Sequence, residues 1–151
     1  LLRNAQEGKD PVLIVDEAHC IRDPEVFEEL RMLLNFQLNE RFLLTLILMA
    51  QPEIREMIGR IKQLDQRIAM RYHLQPLDQA EAAQYVNYRL EKAGAKRQLF
   101  PEEALQLIWQ QSRGVPRIIN TMCDLCLLEG CASRAKVVDA ALIKRVAATM
   151  V

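Results

Sequence analysis

Excess charge is the first thing this sequence lacks: 20 lysines and arginines face 20 aspartates and glutamates. That balance removes the global attraction that would draw the chain to nucleic acid or to an anionic membrane surface. A long apolar run is missing too. The longest, residues 42–50, falls far short of the roughly 20 residues needed to span a bilayer, and nothing near Leu1 has the form of a secretory signal. The expected compartment is cytoplasmic, with membrane attachment only through segments outside this chain. Internal repeats and low-complexity tracts are absent. Cysteine is sparse, and Cys123-x-x-Cys126 has no second CxxC and no nearby histidine pair to complete a tetrahedral zinc site. Cys123, Cys126 and Cys131 fall in one apolar helical stretch, where they read as small core residues in a reducing compartment. His19 and His73 have no evident ligand partners and read as structural.

What is present is the composition of a soluble globular protein, half apolar and one-quarter charged, in 151 residues. That length buries one compact core or two small ones. Residues 1–6 read as the end of a helix, followed by a loop punctuated by Gly8 and Pro11. The β-branched run of residues 12–15 reads as a strand buried on both faces and ending at Asp16-Glu17. Asp23 and Pro24 are the N-cap and first position of a helix carrying Val26, Phe27, Leu30, Leu33 and Leu34, to about Phe36. Residues 42–49 read as a second doubly buried strand, so strand, helix and strand form a βαβ unit in a mostly parallel sheet. Helical turns over residues 54–71, broken near Gly59, and a short edge strand at residues 72–74 complete this part.

From Asp78 onward only helices are expected. Asp78 with Glu81 has the form of a capping box, and Gly94 stops the first helix. Pro101 starts a second that ends at Gly114, Pro116 starts a third, and Asp139 caps a fourth. The fold class is therefore α/β, a parallel-sheet part at residues 1–75 followed by an all-α part at residues 76–151.

The sharpest local signal is Val12-Leu13-Ile14-Val15-Asp16-Glu17, a buried strand that delivers two carboxylates to the carboxyl edge of a parallel sheet, where such sheets bind ligands. Read as a Walker B segment, Asp16 holds a hydrated Mg2+ and Glu17 orients the attacking water, because phosphoryl transfer requires positioning and charge neutralisation. A strand followed by an ordinary acidic turn leaves the same string. Asp16-Glu17-Ala18-His19 also spells the DEAH signature of a helicase family, but no Ser-Ala-Thr-like motif follows. The next strand ends instead in Ala50-Gln51-Pro52-Glu53. Gln51 has the chemistry of a sensor 1 residue, which hydrogen-bonds the terminal phosphate or the lytic water; it is equally a polar residue before a helix start.

Arg67 and Arg71, one helical turn apart, share a face if residues 54–71 are helical, and either is a candidate arginine finger for a neighbouring subunit's nucleotide. Solvated surface arginines look the same. Arg117, in the first turn of the third helix, opposes the helix dipole, a cost that an anionic partner such as a bound phosphate would offset.

In order, VLIVDEAH, LLTLILMAQPEIRE, LDQRIAMRYHLQPLD and GVPRIIN resemble the AAA+ ATPases of the general secretion pathway A kind, also called ExeA-like, over essentially the whole chain. The resemblance implies a partial P-loop NTPase core followed by a helical lid, with ATP and Mg2+ as cofactors. It makes Asp16 and Glu17 the Walker B acids, Gln51 sensor 1, Arg67 the preferred finger with Arg71 second, and Arg117 sensor 2. Members of the family pair a cytoplasmic AAA+ module with a membrane segment and a periplasmic peptidoglycan-binding part, and use ATP to help place the secretin of type II secretion. The partners so implied are further copies of the same protein and components of a secretion or pilus apparatus at the cytoplasmic face of the bacterial inner membrane. Related modules assist DNA transposition, so a DNA-associated ATPase is the alternative, as is a non-catalytic interaction module with AAA+ ancestry. Two departures stand out. No GxxxxGK[ST] occurs, so the chain by itself is expected to be catalytically silent, and His19-Cys20 follows the acids where the family tends to have a polar pair.

Overall fold

The computed structural model describes residues 1–38 and 41–150. The chain forms two compact units that divide between Tyr72 and His73.

In the first unit, α1 (Leu2–Gln6) leads through Gly8 to β1 (Val12–Val15), which pairs in parallel with β4 (Thr45–Leu48) in the register Val12↔Thr45 to Val15↔Leu48. Between them lie α2 (Pro24–Leu33) and a small antiparallel hairpin of β2 (Gln37–Leu38) with β3 (Arg41–Phe42). Asp23 caps α2 by accepting the Glu25 N–H at 2.9 Å. That bond satisfies one of the helix's orphan donors, and Pro24 needs none. α3 (Ile54–Arg60) and α4 (Lys62–Asp65) follow β4. Phe27, Ile58 and Leu64 are the buried centre, with Leu48 of the sheet packed against them.

Five sequence expectations fail over residues 1–74. The run over residues 42–49 is not one strand: Phe42 belongs to the hairpin, and the parallel strand begins only at Thr45. α2 stops at Leu33, and the N–H groups of residues 34–36 turn to the carbonyls three residues back, Arg31, Met32 and Leu33, before the hairpin begins at Gln37. β1 is not buried on both faces. Residues alternate across a strand, and Val12 and Ile14 remain 54% and 56% exposed while the face of Leu13 and Val15 is half-buried. Finally, helix does not continue to residue 71. Its backbone ladder breaks at Ile61 (φ −102°, ψ 74°) and ends at Asp65, and residues 72–74 have no ladder partner among the described residues.

The second unit packs α5 (Gln79–Lys92), α6 (Glu102–Ser112), α7 (Pro116–Ala132) and α8 (Ala140–Thr149) around one core that includes Val86, Phe100, Ile108, Ile119, Met122 and Ile143. The expected capping box is present. Asp78 accepts the Glu81 N–H at 2.8 Å while Glu81 accepts the Asp78 N–H at 2.9 Å. Asp139 caps α8 through the Leu142 N–H at 2.9 Å. Gly114, at φ +75°, forms the turn between α6 and α7, and a Cβ there would stand 2.0 Å from the Leu77 carbonyl oxygen. Only glycine allows this close approach. The Leu77 N–H donates to the Gly114 carbonyl at 2.9 Å, and the Trp109 indole N–H donates to the Leu77 carbonyl at 3.0 Å.

Cys123 and Cys126 are buried in the α7 core as expected, and burial pushes their thiols up to about 12 and about 11. Cys131, also expected in the core, is exposed. It lies on α7 five residues beyond Cys126, a step of about 500° at about 100° per residue, which carries it off the buried stripe.

Candidate functional site

Parallel pairing brings Asp16, Glu17 and Gln51 to one sheet edge. The ladder runs past the strand ends, with the Met49 N–H donating to the Val15 carbonyl at 2.9 Å and the Ala18 N–H donating to the Met49 carbonyl at 3.0 Å. Ala18 is fully buried. These bonds fix the turn after β1 against the tip of β4, so Asp16 and Glu17 stand at the carboxyl edge beside Ala50-Gln51. Glu17 adopts a left-handed conformation at φ 53°, ψ 32°, which is uncommon outside glycine and sharply redirects the chain. Asp16 supports that turn by accepting the Glu17 N–H on Oδ1 at 2.8 Å.

Both carboxylates are exposed. Asp16 presents hard oxygen donors, the chemistry that suits Mg2+ with its retained waters. Its Oδ1 is partly engaged by the Glu17 N–H, and Oδ2 remains for a cation. The site residues therefore fit a Mg2+-nucleotide in donor type.

His19 is the residue that sequence reasoning missed. Its Nδ1 accepts the Gln51 backbone N–H at 3.3 Å, and its Nε2 lies 3.3 Å from Oε2 of Glu17. The only advance signal was its place three residues after Asp16, which says nothing about the strand tip opposite.

The two candidate fingers are not on one helix face. Arg67 is in the turn after α4, its N–H donating to the Leu64 carbonyl at 2.9 Å, and Arg71 lies in irregular chain. Arg71 is engaged by Asp65, with Nη2 at 2.6 Å from Oδ1. Arg67 is exposed, with no ion-pair partner among the described residues. Arg117 belongs to the second unit. It is the second residue of α7, exposed, directly after Pro116.

A two-stranded parallel edge that carries paired acids, followed by a four-helix unit, is the architecture of part of an AAA core with its helical lid. The AAA domain family model matches residues 1–58, and the chain belongs to the AAA family, in its general secretion pathway A-like branch. Over 130 residues, 85% of the chain, it is 42% identical to general secretion pathway protein A of Aeromonas hydrophila. The chain spans 24% of that relative's length. No helix among the described residues is long and apolar enough to cross a membrane.

Proposed function

We propose that this chain carries the Walker B edge and the lid of an ATPase that, in its complete form, hydrolyses ATP to assist assembly of a type II secretion or related pilus apparatus at the cytoplasmic face of the bacterial inner membrane. The observation that carries the reading is the juxtaposition of Asp16, Glu17 and the Gln51 strand tip at one sheet edge, in a chain so similar to general secretion pathway protein A. In this reading Asp16 holds Mg2+, Glu17 orients the attacking water and Gln51 senses the terminal phosphate. The metal, when bound, neutralises charge on the phosphates. The first unit supplies the core and the second the lid. Arg67, not held by a carboxylate, is the finger offered to a neighbouring subunit, and Arg117 contacts phosphate from the lid of its own subunit.

The test uses the complete ATPase. Glu17→Gln should lower turnover roughly 10²- to 10⁴-fold, the span of a lost general base, while nucleotide binding survives. Arg67→Ala should lower turnover roughly 10³-fold or more with binding intact; Arg117→Ala should weaken binding itself. Mixed assemblies of Glu17→Gln with Arg67→Ala subunits should regain activity wherever an intact site meets an intact finger. Unchanged turnover in Glu17→Gln sinks the reading, and failure of rescue despite co-assembly moves the finger to Arg71.

A further inference from the structure

Glu17, His19 and Cys20 bring a carboxylate oxygen, an imidazole nitrogen and a thiol sulfur within 4.8 Å of one another. The imidazole decides what the group is for. Its Nδ1 accepts the Gln51 N–H, and an accepting nitrogen bears no proton, so the neutral ring holds its proton on Nε2. That is the nitrogen 3.3 Å from Oε2 of Glu17. A metal ion taking Nε2 would force the proton to Nδ1, where it would oppose the Gln51 N–H donor to donor. Ligating histidines have the reverse arrangement, with the second nitrogen donating to an acceptor. The geometry suits a proton-bearing contact with a carboxylate.

The two ends of this contact differ in exposure. The His19 side chain is 17% exposed and that of Glu17 68%. The ring is anchored between the turn after β1 and the tip of β4. The Glu17 carboxylate projects into solvent, and the imidazole is its side-chain contact among the described residues. A long side chain free at χ angles seldom occupies one productive geometry, and a partner that selects one rotamer raises the fraction poised for reaction.

We infer that His19 is the positioning residue for Glu17. It ties the carboxylate to the backbone of Gln51, so the group that orients water and the strand tip that senses phosphate move together. The inference rests on the roles proposed above for Glu17 and Gln51.

Two measurements test it. Nitrogen-15 imidazole spectra of the chain at about pH 8, where an ordinary histidine is neutral, should show His19 in the Nε2–H tautomer, with exposed His73 as the internal reference. In the complete ATPase, His19→Ala should lower kcat roughly 10-fold or more, the scale of a lost orienting partner, with KM for ATP within about twofold, the pattern of a lost transition-state contact. His19→Gln, whose amide can accept from Gln51 and donate to Glu17, should recover most of kcat. His19→Phe, which fills the space without either bond, should not. An Nδ1–H tautomer, or tight Zn2+ binding that disappears in Cys20→Ser, overturns the inference. So does recovery of activity in His19→Phe, which would mark a packing role. Full kcat in His19→Ala beside an inactive Glu17→Gln overturns it while leaving Glu17 in place; full activity in Glu17→Gln removes the assignment of Glu17 and this inference with it.

Discussion

The two units bury their apolar residues to different extents. The helical unit closes a contiguous core through Val86, Phe100, Ile108, Ile119, Met122, Cys126 and Ile143, whereas the buried centre of the first unit consists of Phe27, Ile58 and Leu64. The first unit also leaves Val12, Ile14 and Ile47 exposed on one sheet face. Burial of apolar area is the dominant favourable term in folding, so the helical unit is expected to be the more stable of the two. The candidate chemistry sits on the other. Functional loops are commonly drawn from the less stable end of a structure, and the acids and Gln51 stand on turns beyond the strand ends.

The sharpest way to break this comparison is to cut into each unit. Ile108→Ala, at a site 1% exposed, should destabilise the helical unit by roughly 2–5 kcal/mol. Val12→Thr, on the open face of β1, should stay within about 0.5 kcal/mol. Denaturant unfolding followed by circular dichroism measures both, and equal losses would erase the distinction.

An intermediate effect is expected from pH. Cys123 and Cys126 are raised from 9.0 to about 12 and about 11, chiefly by desolvation. Burial keeps both thiols neutral in the folded unit, while the unfolded chain ionises them earlier. Their contribution is therefore fully present below about pH 9 and is lost as pH rises through 9 toward 11 to 12. Stability of the helical unit should therefore decline as pH rises above about 9. A Cys123→Ala/Cys126→Ala variant should show a shallower decline across the same range. At neutral pH a thiol reagent should modify exposed Cys20 and Cys131 and spare the buried pair.

A small effect is also expected at the Arg71–Asp65 pair, whose side chains are 57% and 40% exposed. Asp65→Asn should cost less than about 1 kcal/mol in a thermal melt. A larger loss would mean that the chain after α4 is held more firmly than its exposure implies.

The difference between the units also explains what could be read in advance. In the helical unit, punctuation and periodicity agree: Asp78 with Glu81, Gly94, Gly114, Pro116 and Asp139 all mark the helix ends found. Capping is a local interaction, so local sequence reports it. In the first unit periodicity misled. Ile58, Ile61, Leu64 and Ile68 keep helical spacing through a broken backbone because all four pack into one cluster. Spacing records burial, not the hydrogen-bond ladder. The apolar run over residues 42–49 likewise concealed the switch from hairpin to parallel strand, since β-branched and leucine residues suit either pairing. Among site residues, the acids at the end of β1 were legible because a strand edge announces itself. The part played by His19 was not, because it depends on a residue 32 positions away.

Trp109 is the one tryptophan in the chain, and its indole N–H is held by the Leu77 carbonyl, whose own residue is gripped by Gly114. The molecule thus contains a built-in optical reporter. Emission from an indole is sensitive to its hydrogen bonding and hydration, so the colour and quenching of this fluorophore track whether the segment entering the helical unit is seated in the α6–α7 turn. Any ligand, partner or substitution that lifts that segment can be followed by spectroscopy, without a label, in a protein that has no other indole to obscure the signal.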